Sequence, residues 1–93
     1  MVVQVRNGTT TTGLAASETQ KLASAGYKMK APGDAPTTTK TTIFYRAGSK
    51  VDAQYVRDAH YPGARVKAAG SSFPSDVAIT VVLGEDFVHG SSP

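Results

Sequence analysis

Apolar and polar residues alternate from the start of the chain: over residues 2–6, Val3 and Val5 fall to one side and Gln4 and Arg6 to the other. That two-residue period predicts a half-buried strand. Asn7-Gly8 closes it, since both residues accept the positive φ of a reversing chain, and Thr9 to Thr12 form a polar, β-branched loop. The period then changes. Leu14, Ala15, Thr19, Leu22 and Ala23 recur at helical spacing, opposite Ser17, Gln20, Lys21 and Ser24, which predicts a helix over 13–25 with a narrow, alanine-rich contact stripe. Thr12, or failing it Thr11, offers a hydroxyl to the first amides, and Gly26 stands where a left-handed C-cap belongs.

Residues 27–30 alternate again and read as a second strand, whereas two prolines and a glycine make 31–40 a loop. Residues 41–46 have the strongest strand composition in the chain. After Ala47-Gly48, Ser49 and Asp52 form a carboxylate variant of the capping box. They open a second helix in which Val51, Tyr55, Val56 and Ala59 share a face and which Tyr61-Pro62-Gly63 stops. A short strand is expected within 64–69, a loop over 70–75 and a final strand over 76–83. Beyond Phe87 there is little to pack, so a single domain over 1–88 is expected to carry a flexible tail at 89–93. The order β-α-β-β-α-(β)-β predicts an α/β fold of the α+β two-layer sandwich type, ferredoxin-like or similar. Two helices would cover one face of a four- to five-stranded sheet, with the first and third main strands central.

That arrangement leaves one sheet face uncovered, and strand parity says what it carries. With Val3 and Val5 against the helices, Gln4 and Arg6 point to the open face. Lys28 and Lys30 alternate likewise against Tyr27 and Met29, and Phe44 and Arg46 join them if Ile43 and Tyr45 are buried. Reversing the register of the third strand would bury Phe44 instead. Arg6, Lys28, Lys30, Phe44 and Arg46 are therefore the candidate ligand-binding residues, fit to contact sugars by stacking and anions by charge. The plainer reading is a solvated strand surface whose long cations blunt edge-to-edge association.

Composition narrows the classes. Ninety-three residues make one domain, and 40% hydrophobic with 18% charged residues excludes wholesale disorder. The net charge of +3 favours anionic partners, but lysine and arginine form no run of the kind found in nucleic-acid-binding tails, so nucleic acid is not expected. With no cysteine, disulfides, thiolate catalysis and cysteine-based zinc sites are excluded. The apolar run 77–83 is too short to span a bilayer, and no signal peptide is visible. The chain is expected to be a piece of a longer protein.

No catalytic constellation emerges. His60 sits at a helix C-terminus, where an imidazolium suits the dipole, and His89 lies in the expected tail. No serine occupies a nucleophile elbow, and the glycines near residue 8 match neither phosphate-loop fingerprint. Asp52 reads as a cap, Asp34 as a loop residue, Asp58 as helix surface, and the adjacent Glu85 and Asp86 as a turn. Neither a metal nor any other cofactor is expected.

In their order and spacing, Val3, Val5, Asn7-Gly8-Thr9, Gly13-Leu14-Ala15, Leu22, Ala25-Gly26-Tyr27, Thr42-Ile43, Tyr45, Leu83-Gly84 and Asp86-Phe87 resemble the LytR C-terminal domain family. The resemblance implies an extracytoplasmic accessory domain without activity of its own, in cell-envelope proteins of actinobacteria. Such domains follow a LytR-CpsA-Psr phosphotransferase domain or a single membrane anchor. It also implies partners in peptidoglycan, an anionic wall glycopolymer or an envelope protein, and contact with a membrane only through an N-terminal anchor outside this chain. No catalytic residue carries over; Asn7, Gly8, Gly26 and Gly84 read as fold-keeping turns. The sequence reading is thus a non-catalytic module that helps wall glycopolymer attachment by binding peptidoglycan or glycopolymer. Its rival is a protein-interaction or self-association module.

Overall fold

The structure is a computed structural model that describes residues 2–70, 73 and 76–89. The elements follow the order β1 (Val2–Asn7), α1 (Leu14–Ser24), β2 (Lys28–Met29), β3 (Gly33–Asp34), β4 (Thr42–Tyr45), α2 (Lys50–His60), β5 (Arg65–Ala68), β6 (Ile79–Leu83) and α3 (Glu85–His89). They build one mixed sheet with strand order β2-β1-β6-β4-β5, and β3 pairs with β1 beyond β2. The two-layer α/β sandwich expected from the sequence is what forms.

Its pairing is of the "similar" kind rather than ferredoxin-like. In β1-α1-β2 and in β4-α2-β5 the two strands pair directly and in parallel, with no strand inserted between them. The final strand joins these units, parallel to β1 and antiparallel to β4. The first and third main strands are interior, but the centre belongs to β6, whose five residues are all buried. A strand enclosed on both faces and both edges reads as a continuous apolar run, as Ile79-Thr80-Val81-Val82-Leu83 does.

Register divides the sheet into two faces. Val3, Val5, Ile43, Ile79, Val81 and Leu83 point to the helices and pack with Ala15 and Leu22 of α1, Ala53 and Val56 of α2, and Tyr61. Each fully buried aliphatic side chain of this set contributes about 1.5–3 kcal/mol relative to exposure, before ordering costs. Phe87 of α3 and Met29 of β2 close its margins.

Helix ends depart from the sequence reading. Neither Thr12 nor Thr11 caps α1; Gly13, at φ 87°, is the N-cap, and no side chain bonds there. The threonine loop is organised instead by Asn7, whose Oδ1 accepts from Thr9 N and Oγ1 while its Nδ2 donates to the Thr11 carbonyl at 2.7 Å. Ser49 makes no side-chain cap bond at α2 either, so its capping box with Asp52 does not form. The other end of α1 is as expected: Gly26 at φ 103° lets Tyr27 N donate to Leu22 O and Gly26 N to Ala23 O, both at 3.1 Å.

Other differences are local. Within the expected loop 31–40, Gly33 and Asp34 pair with Arg6 and Asn7. On α1 the buried residues are Ala15, Glu18 and Leu22, and Ala23 is exposed. On α2 they are Ala53 and Val56, whereas Val51 and Tyr55, expected on the packed face, are 76% and 65% exposed. Glu85 and Asp86 open a short helix rather than form a turn, and His89 ends it; residues 90–93 of the expected tail lie outside the described residues, as do 71, 72, 74 and 75 of the expected loop.

A cation-rimmed sheet face as candidate functional site

The face turned away from the helices is set out in three rows by strand register. Gln4, Thr80, Phe44 and Lys67 stand side by side across β1, β6, β4 and β5. Arg6, Val82, Thr42 and Arg65 form the next row in the same way. At the other end Lys28 pairs with Val2, Val2 O accepts from Ala78 N, and Ala78 O accepts from Arg46 N, which continues the pattern. The middle of the first two rows is uncharged and both margins are cationic, while Asp76 lies beside Val2, Ala78 and Arg46 at the end of the third. Three strand spacings, about 14 Å, separate Arg6 from Arg65.

This face is less open than the sequence implied. Gln4, Thr80 and Val82 are buried, and Phe73 lies over the sheet with its ring centroid 4.7 Å from that of Phe44. The Arg6 guanidinium carbon stands 5.5 Å from the centroid of the same Phe73 ring, and Arg6 Nε donates to Gln4 Oε1 at 3.2 Å. Gln4 Nε2 in turn donates to the Ala31 carbonyl at 3.0 Å, so the buried amide is satisfied and holds the β2–β3 connection against β1. Stacking and the Gln4 bond fix the arginine while its terminal nitrogens remain available as a fork for an anion.

The sequence candidates therefore do not all serve equally. Arg6, Lys28 and Phe44 share this face by register, and Arg46 follows β4 at the same parity. Lys30 is committed elsewhere: its ammonium meets both oxygens of Asp76 at 3.2 Å. That bond, first among several causes, holds the Asp76 carboxyl below the ordinary carboxylate range. Arg65, Lys67 and Phe73 went unrecognised as site residues. The first two had a signal, the Arg65-Val66-Lys67 alternation, but their place beside Phe44 depends on β5 pairing with β4, which spacing does not reveal.

Most carboxylates lie away from this face: Glu18, Asp52, Asp58, Glu85 and Asp86 are on the helices, and Asp34 pairs with Asn7 on the helix side of the sheet, whereas Asp76 stands beside Lys30 and Arg46 at the Val2–Ala78 end of the face. Among the described residues the ion pairs join Lys21 to Glu18, Lys30 to Asp76, Lys40 to Asp86 and Arg57 to Asp58. Arg6, Lys28, Arg46, Arg65 and Lys67 take part in none of them. No group of three or more His, Cys, Asp or Glu that could hold a metal ion occurs among the described residues.

The end of the sheet is locked by Asp86. Its Oδ1 accepts from Thr41 N at 2.8 Å and Thr41 Oγ1 at 2.7 Å, while Thr41 Oγ1 accepts from Gly84 N at 3.0 Å. Burial pushes the Asp86 carboxyl up, but the two Thr41 bonds and the Lys40 charge outweigh it and leave it below its ordinary value. A carboxylate with a depressed folded value stabilises the fold above its unfolded value of about 3.9 and loses that contribution as pH falls through the folded one. Urea midpoints of the parent are thus expected to drop more steeply below about pH 4 than those of Asp86→Asn. Parallel acid limbs would refute the assignment.

A family model described as "LytR cell envelope-related transcriptional attenuator" matches residues 1–87. The chain belongs to this family. The LytR C-terminal domain described here also resembles the solution structure of the C-terminal domain of RV0431, with a TM-score of 0.61 and 27% sequence identity, over 89% of this chain and 70% of that one. Curated protein sequences give no match. LytR C-terminal domains are accessory rather than catalytic domains of cell-envelope proteins. No helix among the described residues of this one is long and apolar enough to cross a membrane.

Proposed function

We propose that this LytR C-terminal domain works outside the cytoplasm as a wall-binding module, holding an anionic glycopolymer, or peptidoglycan bearing one, in the trough between the two cationic margins of the sheet. The carrying observation is the placement of Arg6 and Lys28 on one side, and of Arg65 and Lys67 on the other, of a stretch that contains Phe44 and Phe73. A linear polyanion running along the strands meets Arg6 and Lys28 on one side and Arg65 and Lys67 on the other, with Phe44 and Phe73 beneath its sugar rings and the end that holds Asp76 and Arg46 left out of the contact. The module would thereby position an envelope enzyme on its polymer substrate, supporting glycopolymer attachment without chemistry of its own.

Co-sedimentation with insoluble wall tests this, using wall that carries its anionic polymer and wall stripped of it. Arg6→Glu/Lys67→Glu is expected to lower retention about tenfold or more, through lost and reversed contacts, and retention by the parent should weaken with salt. Lys50→Glu, an equal change per residue on exposed α2, should retain binding. Equal retention by all variants overturns the reading.

A second reading, a protein-docking or self-association module, has one observation in its favour. Val51 and Tyr55, one helical turn apart on α2, are the large hydrophobic side chains most exposed to solvent among the described residues. Light scattering at rising concentration discriminates: growth in mass abolished by Tyr55→Ser supports it, and a constant monomer mass removes it.

A further inference from the structure

A half-open groove of about 520 Å³ lies at the end of the molecule where β4 begins and β6 finishes, bounded by the end of α2 and by α3. Its size falls within the range of small-molecule sites, about 300–1,000 Å³. It is separate from the trough, and its chemistry is different. The floor is aromatic: Tyr61 and Phe87 stand with ring centroids 5.9 Å apart, Tyr61 buried and Phe87 half-buried, and Pro62 continues the apolar wall. The rim is polar, with Lys40 Nζ 3.5 Å from Asp86 Oδ2 and an exposed His60.

Two features define what fits. First, the rim cation and the rim anion already face each other, so a charged ligand would compete with one of them and leave the other unmatched. The trough recruits anions; this groove does not. Second, the rim keeps hydrogen-bonding capacity in both senses. Asp86 Oδ1 is occupied by Thr41, but Oδ2 has only the long Lys40 contact, and the ammonium and imidazole have further donors and acceptors to offer. A ligand with one apolar face and several hydroxyls that both donate and accept satisfies the floor and the rim together. We propose that this groove is a second binding site, for an uncharged pyranose residue of a glycan chain, with the sugar face against Phe87 and Pro62 and its hydroxyls bridging Lys40, Asp86 and His60. The site stands independently of the trough.

Amide chemical shifts of the ¹⁵N-labelled chain test it, titrated with two uncharged probes, tri-N-acetylchitotriose and maltotriose, and one anionic probe, trigalacturonate, each to about 10 mM, as millimolar affinities require. At least one uncharged trisaccharide is expected to shift the amides of Thr41, Gly63, Ala64 and Phe87 and to leave Gln4, Phe44 and Lys67 in place. Lys40→Ala and His60→Ala should weaken that binding about tenfold each, the loss of one hydrogen bond, while the ¹⁵N spectra of the free variants keep the dispersion of the folded parent. Arg6→Glu/Lys67→Glu should bind the sugar as the parent does, so failure of the trough and failure of the groove are read separately. Silence toward both uncharged probes, shifts confined to the trough, or a response to trigalacturonate alone overturns the proposal.

Discussion

Gly84→Ala is expected to lower the melting temperature by about 15 °C, from an overpacking cost near 3 kcal/mol in a domain of this size. A Cβ on residue 84 would lie 2.5 Å from the Lys40 carbonyl carbon, 2.6 Å from Thr41 N and 2.8 Å from Lys40 N. All three are backbone atoms, so no side-chain rotation relieves the contact. The displacement would also separate Gly84 N from Thr41 Oγ1, and with it loosen the Asp86 bonds that tie α3 to the start of β4. Differential scanning calorimetry decides the matter, and a shift under about 3 °C would mean that the two backbones are not in contact. Gly8 makes a similar approach at the end of β1: its added Cβ would stand 2.6 Å from Leu83 O, the carbonyl to which Gly8 N donates at 2.9 Å.

Tyr61 carries the second large effect, and two variants separate its parts. Tyr61→Ala removes a ring that is 4% exposed at the junction of α2, α1 and α3, and should cost about 3–5 kcal/mol, the range for burying a cavity of aromatic size. Tyr61→Phe keeps the ring and removes the hydroxyl that donates to Glu18 Oε1 at 2.9 Å. The buried carboxylate then keeps Lys21 at 3.1 Å but loses its inner partner, a change worth about 1–2 kcal/mol. Burial first, then the Glu18 charge and the bond to it, push the Tyr61 hydroxyl above its ordinary value. A raised folded value gives stability that is intact below the unfolded value of about 10 and declines as pH rises beyond it. Urea midpoints between pH 8 and 11 should therefore fall faster for the parent than for Tyr61→Phe. Equal slopes, or a Tyr61→Phe variant as stable as the parent at pH 7, would show that the Glu18 bond contributes nothing.

Glu18 also marks where the sequence stops being legible. It lies between Leu14 and Leu22 at four-residue spacing and so belongs to the packed stripe by position, although a carboxylate is ordinarily left in solvent. Lys21, three residues on, meets one of its oxygens, but the other is matched by Tyr61, forty-three residues away, and no local pattern announces that partner. The strands behaved differently. Alternation puts Arg6 on the face away from Val5, where the structure has it, because a period of two leaves little freedom once one face is apolar; on β4 it allows two registers, and the structure has the one with Ile43 toward the helices and Phe44 away. The pairing order was beyond reach for the same reason that Glu18 was: β6 between β1 and β4, and β5 beside β4, are long-range facts. Hence local alternation alone does not bring Arg65 and Lys67 beside Phe44, nor does it show that Lys30 is bound to Asp76 across forty-six residues. Helix caps failed more simply, since serine and threonine near a helix start are permissive signals and the bonds they offer are not made here.

The central position of β6 has a consequence for how the molecule comes into being. During synthesis β1 and β4 emerge early, and each offers a long unpaired edge until residues 79–83 arrive to lie between them. Neither β-α-β half is joined to the other before then, so this domain stays open at its centre until both halves have been made and the strand between them follows.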